Sequence, residues 1–128
     1  MRKVIATSAA PAAVGPYSQA IQTGQLVFTA GQLGLDPVTG KFAGTDVTAQ
    51  TEQAMQNLQA VLQAAGSDVE QIVKTTIYVV DLADFKTVNT IYGKFFSQAP
   101  PARSTVQVAA LPLGGLVEIE AIAILLDD

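Results

Sequence analysis

The stretch Val117-Glu118-Ile119-Glu120-Ala121-Ile122-Ala123 constrains the fold most. Side chains of an extended segment point alternately to opposite faces. Val117, Ile119, Ala121 and Ala123 therefore share one face, and Glu118, Glu120, Ile122 and Ile124 the other. The first face is wholly apolar and demands burial. The second carries two of the chain's four glutamates. Pro101-Ala102-Arg103-Ser104-Thr105 holds one of only two arginines, again inside a segment that reads as a strand. Lone charges in apolar strands are costly unless they are paired or used. A guanidinium holds a small carboxylate through two parallel hydrogen bonds, and a carboxylate can orient or deprotonate a water. Arg103 with Glu118 or Glu120 is thus a candidate site for a small organic acid. The competing reading is an internal or intersubunit ion pair, and Glu120 by itself reads as structural. If Ser104 to Val108 and Val117 to Leu126 pair as a hairpin, one register places Arg103, Thr105 and both glutamates on a common face. A slip of one residue separates them.

Asp46 to Ala65 reads as the longest helix. Val47, Ala54, Met55, Leu58, Val61, Leu62 and Ala65 recur at helical spacing, Asp46 caps the start and Gly66 follows the end. Its exposed face is expected to be mostly glutamine: Gln50, Gln53, Gln56, Gln59 and Gln63. Ser67 offers a second cap. Asp84 to Phe96 is a second amphipathic helix, with Phe85, Val88, Ile91, Tyr92, Phe95 and Phe96 on one face. Strands are expected over Lys3 to Thr7, Ser18 to Gln22, Gln25 to Leu33 and Ile72 to Val80. Thr23-Gly24 and Asp36 to Lys41 are turns. The order β-β-β-α-β-α-β-β predicts an α+β fold, a single sheet with two helices packed on one face, formed by one domain over residues 1–128. The other face is left for water or for neighbouring subunits. With 49% apolar and only 14% charged residues, the composition points to self-association.

Several function classes are disfavoured. The chain has no histidine and no cysteine, so Ser-His-Asp and Cys-His nucleophiles, structural zinc and disulfides are unavailable. No carboxylate run has the loop spacing for magnesium or calcium, so no metal is expected. Net charge is −4, unsuited to phosphate neutralisation on nucleic acid. The N-terminus lacks a continuous apolar signal segment, and no run is long enough to span a membrane. A cytoplasmic protein without nucleic-acid or membrane partners is expected.

Four more residues stand out. Tyr17 could wall a pocket or be a half-buried tyrosine. Asn89, inside the second helix, could contact another segment or a ligand. Gly31 within a strand implies a bulge or a close backbone approach. Thr105 could be simply a good strand former.

Taken together, Gly15-Pro16-Tyr17-Ser18-Gln19-Ala20, Ala30-Gly31-Gln32, Gln50 to Gly66 with Asn57, Val73-Lys74-Thr75-Thr76, Asp81-Leu82-Ala83-Asp84-Phe85, Val88-Asn89, Pro101-Ala102-Arg103-Ser104 and Val117-Glu118-Ile119-Glu120-Ala121 carry a family resemblance over nearly the whole chain. The chain resembles the reactive intermediate deaminases, RidA subgroup, also known as YjgF-type proteins. The resemblance implies a chorismate-mutase-like fold and a homotrimer whose sheets form a central barrel, with active sites in clefts between subunits. It implies cofactor-free hydrolysis of enamine and imine intermediates such as 2-aminoacrylate to a 2-oxo acid and ammonia. Carried over by position, Arg103 holds the substrate carboxylate and Glu118 positions the attacking water. Gly31 and Thr105 face the substrate, Tyr17 lines the cleft and Asn89 lies near it. The family often has Cys at the position of Thr105 and Ser at that of Ala30, which bears on substrate range more than on reaction class. The alternatives are a non-catalytic trimeric small-acid-binding module, a chaperone-like module and a ribonuclease.

Overall fold

The computed structural model describes residues 1–127. Asp128, the last residue of the expected domain, lies outside the described residues. Seven strands, β1 (Arg2–Ile5), β2 (Ala20–Thr23), β3 (Leu26–Thr29), β4 (Gln32–Leu33), β5 (Ile72–Val79), β6 (Ala102–Gln107) and β7 (Val117–Ile124), make one sheet. Their order is β1-β2-β3-β7-β5-β6, with β4 also paired to β7. Two helices, α1 (Val47–Ala64) and α2 (Phe85–Gly93), complete the α+β architecture. The alternation in β7 is obeyed: Val117, Ile119, Ala121 and Ala123 are buried under the helices. Glu118, Glu120 and Ile122 stand half-buried on the open face. Around them this face exposes Val4, Leu26, Phe28, Val106 and Ile124.

The possible hairpin between β6 and β7 does not form. β5 lies between them, antiparallel to β7 and parallel to β6. The reason is the connection: β5, α2 and β6 make a crossover unit, which returns the chain parallel to the strand it left. Alternation within a strand fixes its two faces but not its neighbour.

The long strand expected over Gln25 to Leu33 is broken into β3 and β4 at Ala30-Gly31. Both pieces pair with β7, and the Thr29 hydroxyl accepts the Ala121 N–H at 3.0 Å across the break. The β2–β3 turn is Gly24-Gln25, closed by the Thr23–Leu26 pair. Gly24 has φ 56°, the left-handed region glycine tolerates.

Helix α1 is capped as expected, with the Asp46 carboxylate accepting the Ala49 N–H at 2.8 Å. Its predicted apolar stripe forms the core. The glutamine face is only partly exposed. Gln50 is buried, donating to the Gly44 carbonyl at 3.1 Å and accepting from Leu116 N–H at 2.9 Å. Ser67 is no cap: its hydroxyl donates to the Ile124 carbonyl at 2.6 Å, and Asp68 caps the following turn. Helix α2 ends at Gly93 rather than Phe96, because the next amides tighten onto carbonyls three residues back.

One buried group is unused. Among the described residues, the Thr51 hydroxyl in α1 has no hydrogen-bond partner, and the residue is 0% exposed. Thr51→Val is expected to stabilise the chain by about 1 kcal/mol, since a same-shape apolar group removes an uncompensated desolvation. Urea unfolding should show a higher midpoint at unchanged slope.

Candidate active site

Glu118 sits where the broken strand touches β7. A Cβ built on Gly31 would lie 2.6 Å from Glu118 Oε2 and 2.9 Å from its Cγ. Only glycine lets this side chain lie flat on the backbone. The carboxylate opens into a cavity of about 710 Å³ that Tyr17, Gly31, Leu35, Asp36 and Leu113 also line. Burial, and secondarily the adjacent Glu120 charge, push the Glu118 carboxyl above its usual range. It is therefore a stronger base than an ordinary glutamate.

The walls of this cavity are pinned by buried amides. Gln19 accepts from Thr7 N–H at 2.7 Å and donates to the Thr7 and Pro11 carbonyls at 3.1 and 2.8 Å. That shapes the loop leading to Tyr17. Asn57 on α1 donates to the Leu33 and Leu35 carbonyls at 3.0 and 2.8 Å, fixing β4 and its exit.

Arg103 belongs to a different surface. It pairs in register with Thr75 of β5, and Thr75 pairs with Ala121 of β7. All three point to the helix-covered face. The guanidinium carbon lies 5.4 Å from the Phe85 ring centroid and 5.1 Å from that of Tyr92, within cation–π range. The Tyr92 hydroxyl shares a 2.7 Å hydrogen bond with Thr75 Oγ1, which locks the ring beneath the arginine. Burial raises the Tyr92 hydroxyl above the usual phenol range, opposed by that bond and by the Arg103 charge. Asn89 falls four residues after Phe85 and three before Tyr92, on the same helix ridge. Thr105 lies two residues on from Arg103 on the same face, and its hydroxyl is buried without a partner among the described residues.

The structure thus divides the predicted residues into two groups. Tyr17, Gly31 and Glu118 meet at one cavity. Arg103 and Thr105 lie on the edge strand β6, on the opposite face of the sheet, and Asn89 lies on α2 between Phe85 and Tyr92. The register that would put Arg103 and the glutamates on a common face does not occur, and with it goes the ion pair inside one chain. β5 intervenes, and its two parities point to opposite sides. Sequence reasoning missed the Phe85–Tyr92 platform as well as Gln19 and Asn57. The available signal for the two amides was a polar side chain amid positions that must be buried.

Among the described residues, no group of three His, Cys, Asp or Glu side chains could hold a metal ion. No helix among them is long and apolar enough to cross a membrane.

Residues 7–125 match the family model described as endoribonuclease L-PSP. The chain is 57% identical over 124 residues to reactive intermediate deaminase A, chloroplastic, of Arabidopsis thaliana, covering 97% of this chain and 66% of that protein. It is 51% identical over 124 residues to the 2-iminobutanoate/2-iminopropanoate deaminase of Mus musculus, covering 97% and 92%. The crystal structure of E. coli TdcF with bound serine superposes with a TM-score of 0.92 at 44% identity, covering 95% of this chain and 98% of that one.

Proposed function

This chain belongs to the endoribonuclease L-PSP family, in its RidA-type branch, and on that premise we propose that it hydrolyses reactive 2-imino acids, in equilibrium with their enamines, to 2-oxo acids and ammonia. Relatives covered over most of their length are named for that activity. The observation that carries the reading is Glu118, a carboxylate of raised proton affinity laid on the Gly31 backbone at the mouth of a cavity.

Because Arg103 and Glu118 occupy opposite faces, a working site takes each from a different copy. The open apolar face and the edge strand β6 supply the surface for such an assembly, a homotrimer in our reading. Arg103 of one copy, restrained by Phe85 and Tyr92, grips the substrate carboxylate with its N–H fork. Thr105 and Asn89 flank that grip, and a bound acid would satisfy the unpartnered Thr105 hydroxyl. The serine in the TdcF structure is a ligand of this chemical type. Glu118 of the neighbouring copy, with Tyr17 and Gly31 around it, orients a water onto the imine carbon. The water oxygen bonds to carbon as the C=N π pair moves to nitrogen, and Glu118 takes the water proton. The nitrogen takes a proton from solvent water to complete the carbinolamine. Glu118 then returns its proton to that amine, the C–N bond breaks with its electron pair leaving on nitrogen as ammonia, and the hydroxyl gives its proton to water as the carbonyl forms. Imines are reactive enough for positioning and one base to suffice. No metal or organic cofactor takes part in this scheme, and the cytoplasm is its place of action. An RNA-cleaving role suits neither the net charge of −4 nor the lack of histidine.

The test generates the imine with an amino-acid oxidase or a serine/threonine dehydratase and lets semicarbazide compete for it. The chain should suppress semicarbazone formation, and Arg103→Ala should not. Suppression by neither would overturn the reading. The exposed apolar face also suits a chaperone-like role, which would survive loss of Arg103. In the same assay Gly31→Ala is expected to lose roughly ten- to a hundredfold in kcat/KM. The added methyl displaces the Glu118 carboxylate, and misplacement by an ångström costs on that order.

A further inference from the structure

Glu118 and Glu120 have an unassigned neighbour. Tyr78 of β5 is the direct cross-strand partner of Glu118, and Glu120 lies on the diagonal, opposite Thr76. Directly opposed side chains have Cβ atoms about 5 Å apart, and diagonal ones stay within reach of an aromatic ring. All three project from the open face and all are half-buried. We propose that Tyr78 is a positioning residue for this site: its phenol donates to the Glu120 carboxylate and holds it beside Glu118. The inference rests on the imine-hydrolysis reading of Glu118.

The surroundings leave the phenol this task. Of the other groups on this face, Lys74 of β5 pairs with Ile122, one step beyond Glu120. β6 presents only Ala102, Ser104 and Val106, and β3 presents Leu26 and Phe28. Tyr17 and Asp36 reach the cavity from loops on the Glu118 side. Burial first, then the charges of Glu120 and Glu118, raise the Tyr78 hydroxyl above the usual phenol range. It stays protonated and available as a donor. A donor on Glu120 favours its charged form, and the Glu120 charge in turn raises the proton affinity of Glu118. Tyr78 would therefore set the strength of the base without touching substrate.

Tyr78→Phe keeps the ring and removes the donor. The chain has only four glutamates, so ¹³C labelling of the glutamate carboxyls lets Glu118 and Glu120 be titrated separately by NMR. In Tyr78→Phe, Glu118 should titrate lower than in wild type. The acid limb of kcat/KM should follow Glu118 downward, with a plateau reduced about twofold to tenfold. In a Glu120→Gln background, Tyr78→Phe should leave the Glu118 titration unmoved. Titrations that superimpose on wild type, or an upward move of Glu118, would overturn the proposal. Absence of imine hydrolysis in wild type would overturn the functional reading instead, while the NMR titrations still decide the role of Tyr78.

Discussion

Arg103→Lys is expected to lower kcat/KM for imine hydrolysis by about a hundredfold, and Arg103→Ala by about a thousandfold. The guanidinium carbon lies 5.4 and 5.1 Å from the Phe85 and Tyr92 ring centroids, so the group is restrained before substrate arrives. Lysine keeps the charge but not the plane, the second hydrogen bond or the stacking. Both variants should fold, because Arg103 is only half-buried on an edge strand. Semicarbazide competition against substrate concentration checks the prediction. Wild-type kcat/KM in the lysine variant would remove Arg103 from the mechanism.

Glu118→Gln should cost about a hundredfold to ten-thousandfold in kcat, the range for a lost general base, and yet yield a more stable protein at neutral pH. Burial and Glu120 raise the folded-state proton affinity of Glu118 above that of the unfolded chain. Below the ordinary glutamate value of about 4.3 both states are protonated and there is no penalty. As pH rises past that value the unfolded chain ionises first, and the fold loses stability until Glu118 itself ionises. The glutamine variant escapes this loss. Its melting temperature should exceed that of wild type at pH 8, and the difference should shrink toward pH 4. The acid limb of wild-type kcat/KM should likewise lie above the ordinary glutamate range.

The sequence revealed faces better than neighbours. Alternation in Val117 to Ala123 and the stripe from Ala54 to Ala65 were legible because burial imposes a strict period on each. The partner of β6 was not legible, since pairing depends on how α2 returns the chain, a long-range matter that no local period encodes. Gly31 was legible as an oddity, but not that Glu118 would lie on it. Gln50 read as a surface residue, because it falls among the glutamines of the exposed helix face and its burial depends on the Gly44 and Leu116 backbone groups it meets. Arg103 and Glu118 drew attention by their rarity among apolar strand residues. Their placement on opposite faces followed only from β5 standing between them. That same placement gives oligomerisation its role in the account, since one chain alone cannot bring the two together.

Subunit mixing tests this claim most directly. Arg103→Ala and Glu118→Gln chains, carrying different tags, are co-expressed, and the mixed assemblies are purified through both tags. Each parent alone should be inactive in the semicarbazide assay. In a trimer holding both kinds of chain one of the three intersubunit clefts pairs an intact Arg103 with an intact Glu118, so the purified mixture should recover about a third of wild-type activity. A mixture as inactive as its parents would contradict a site shared between copies.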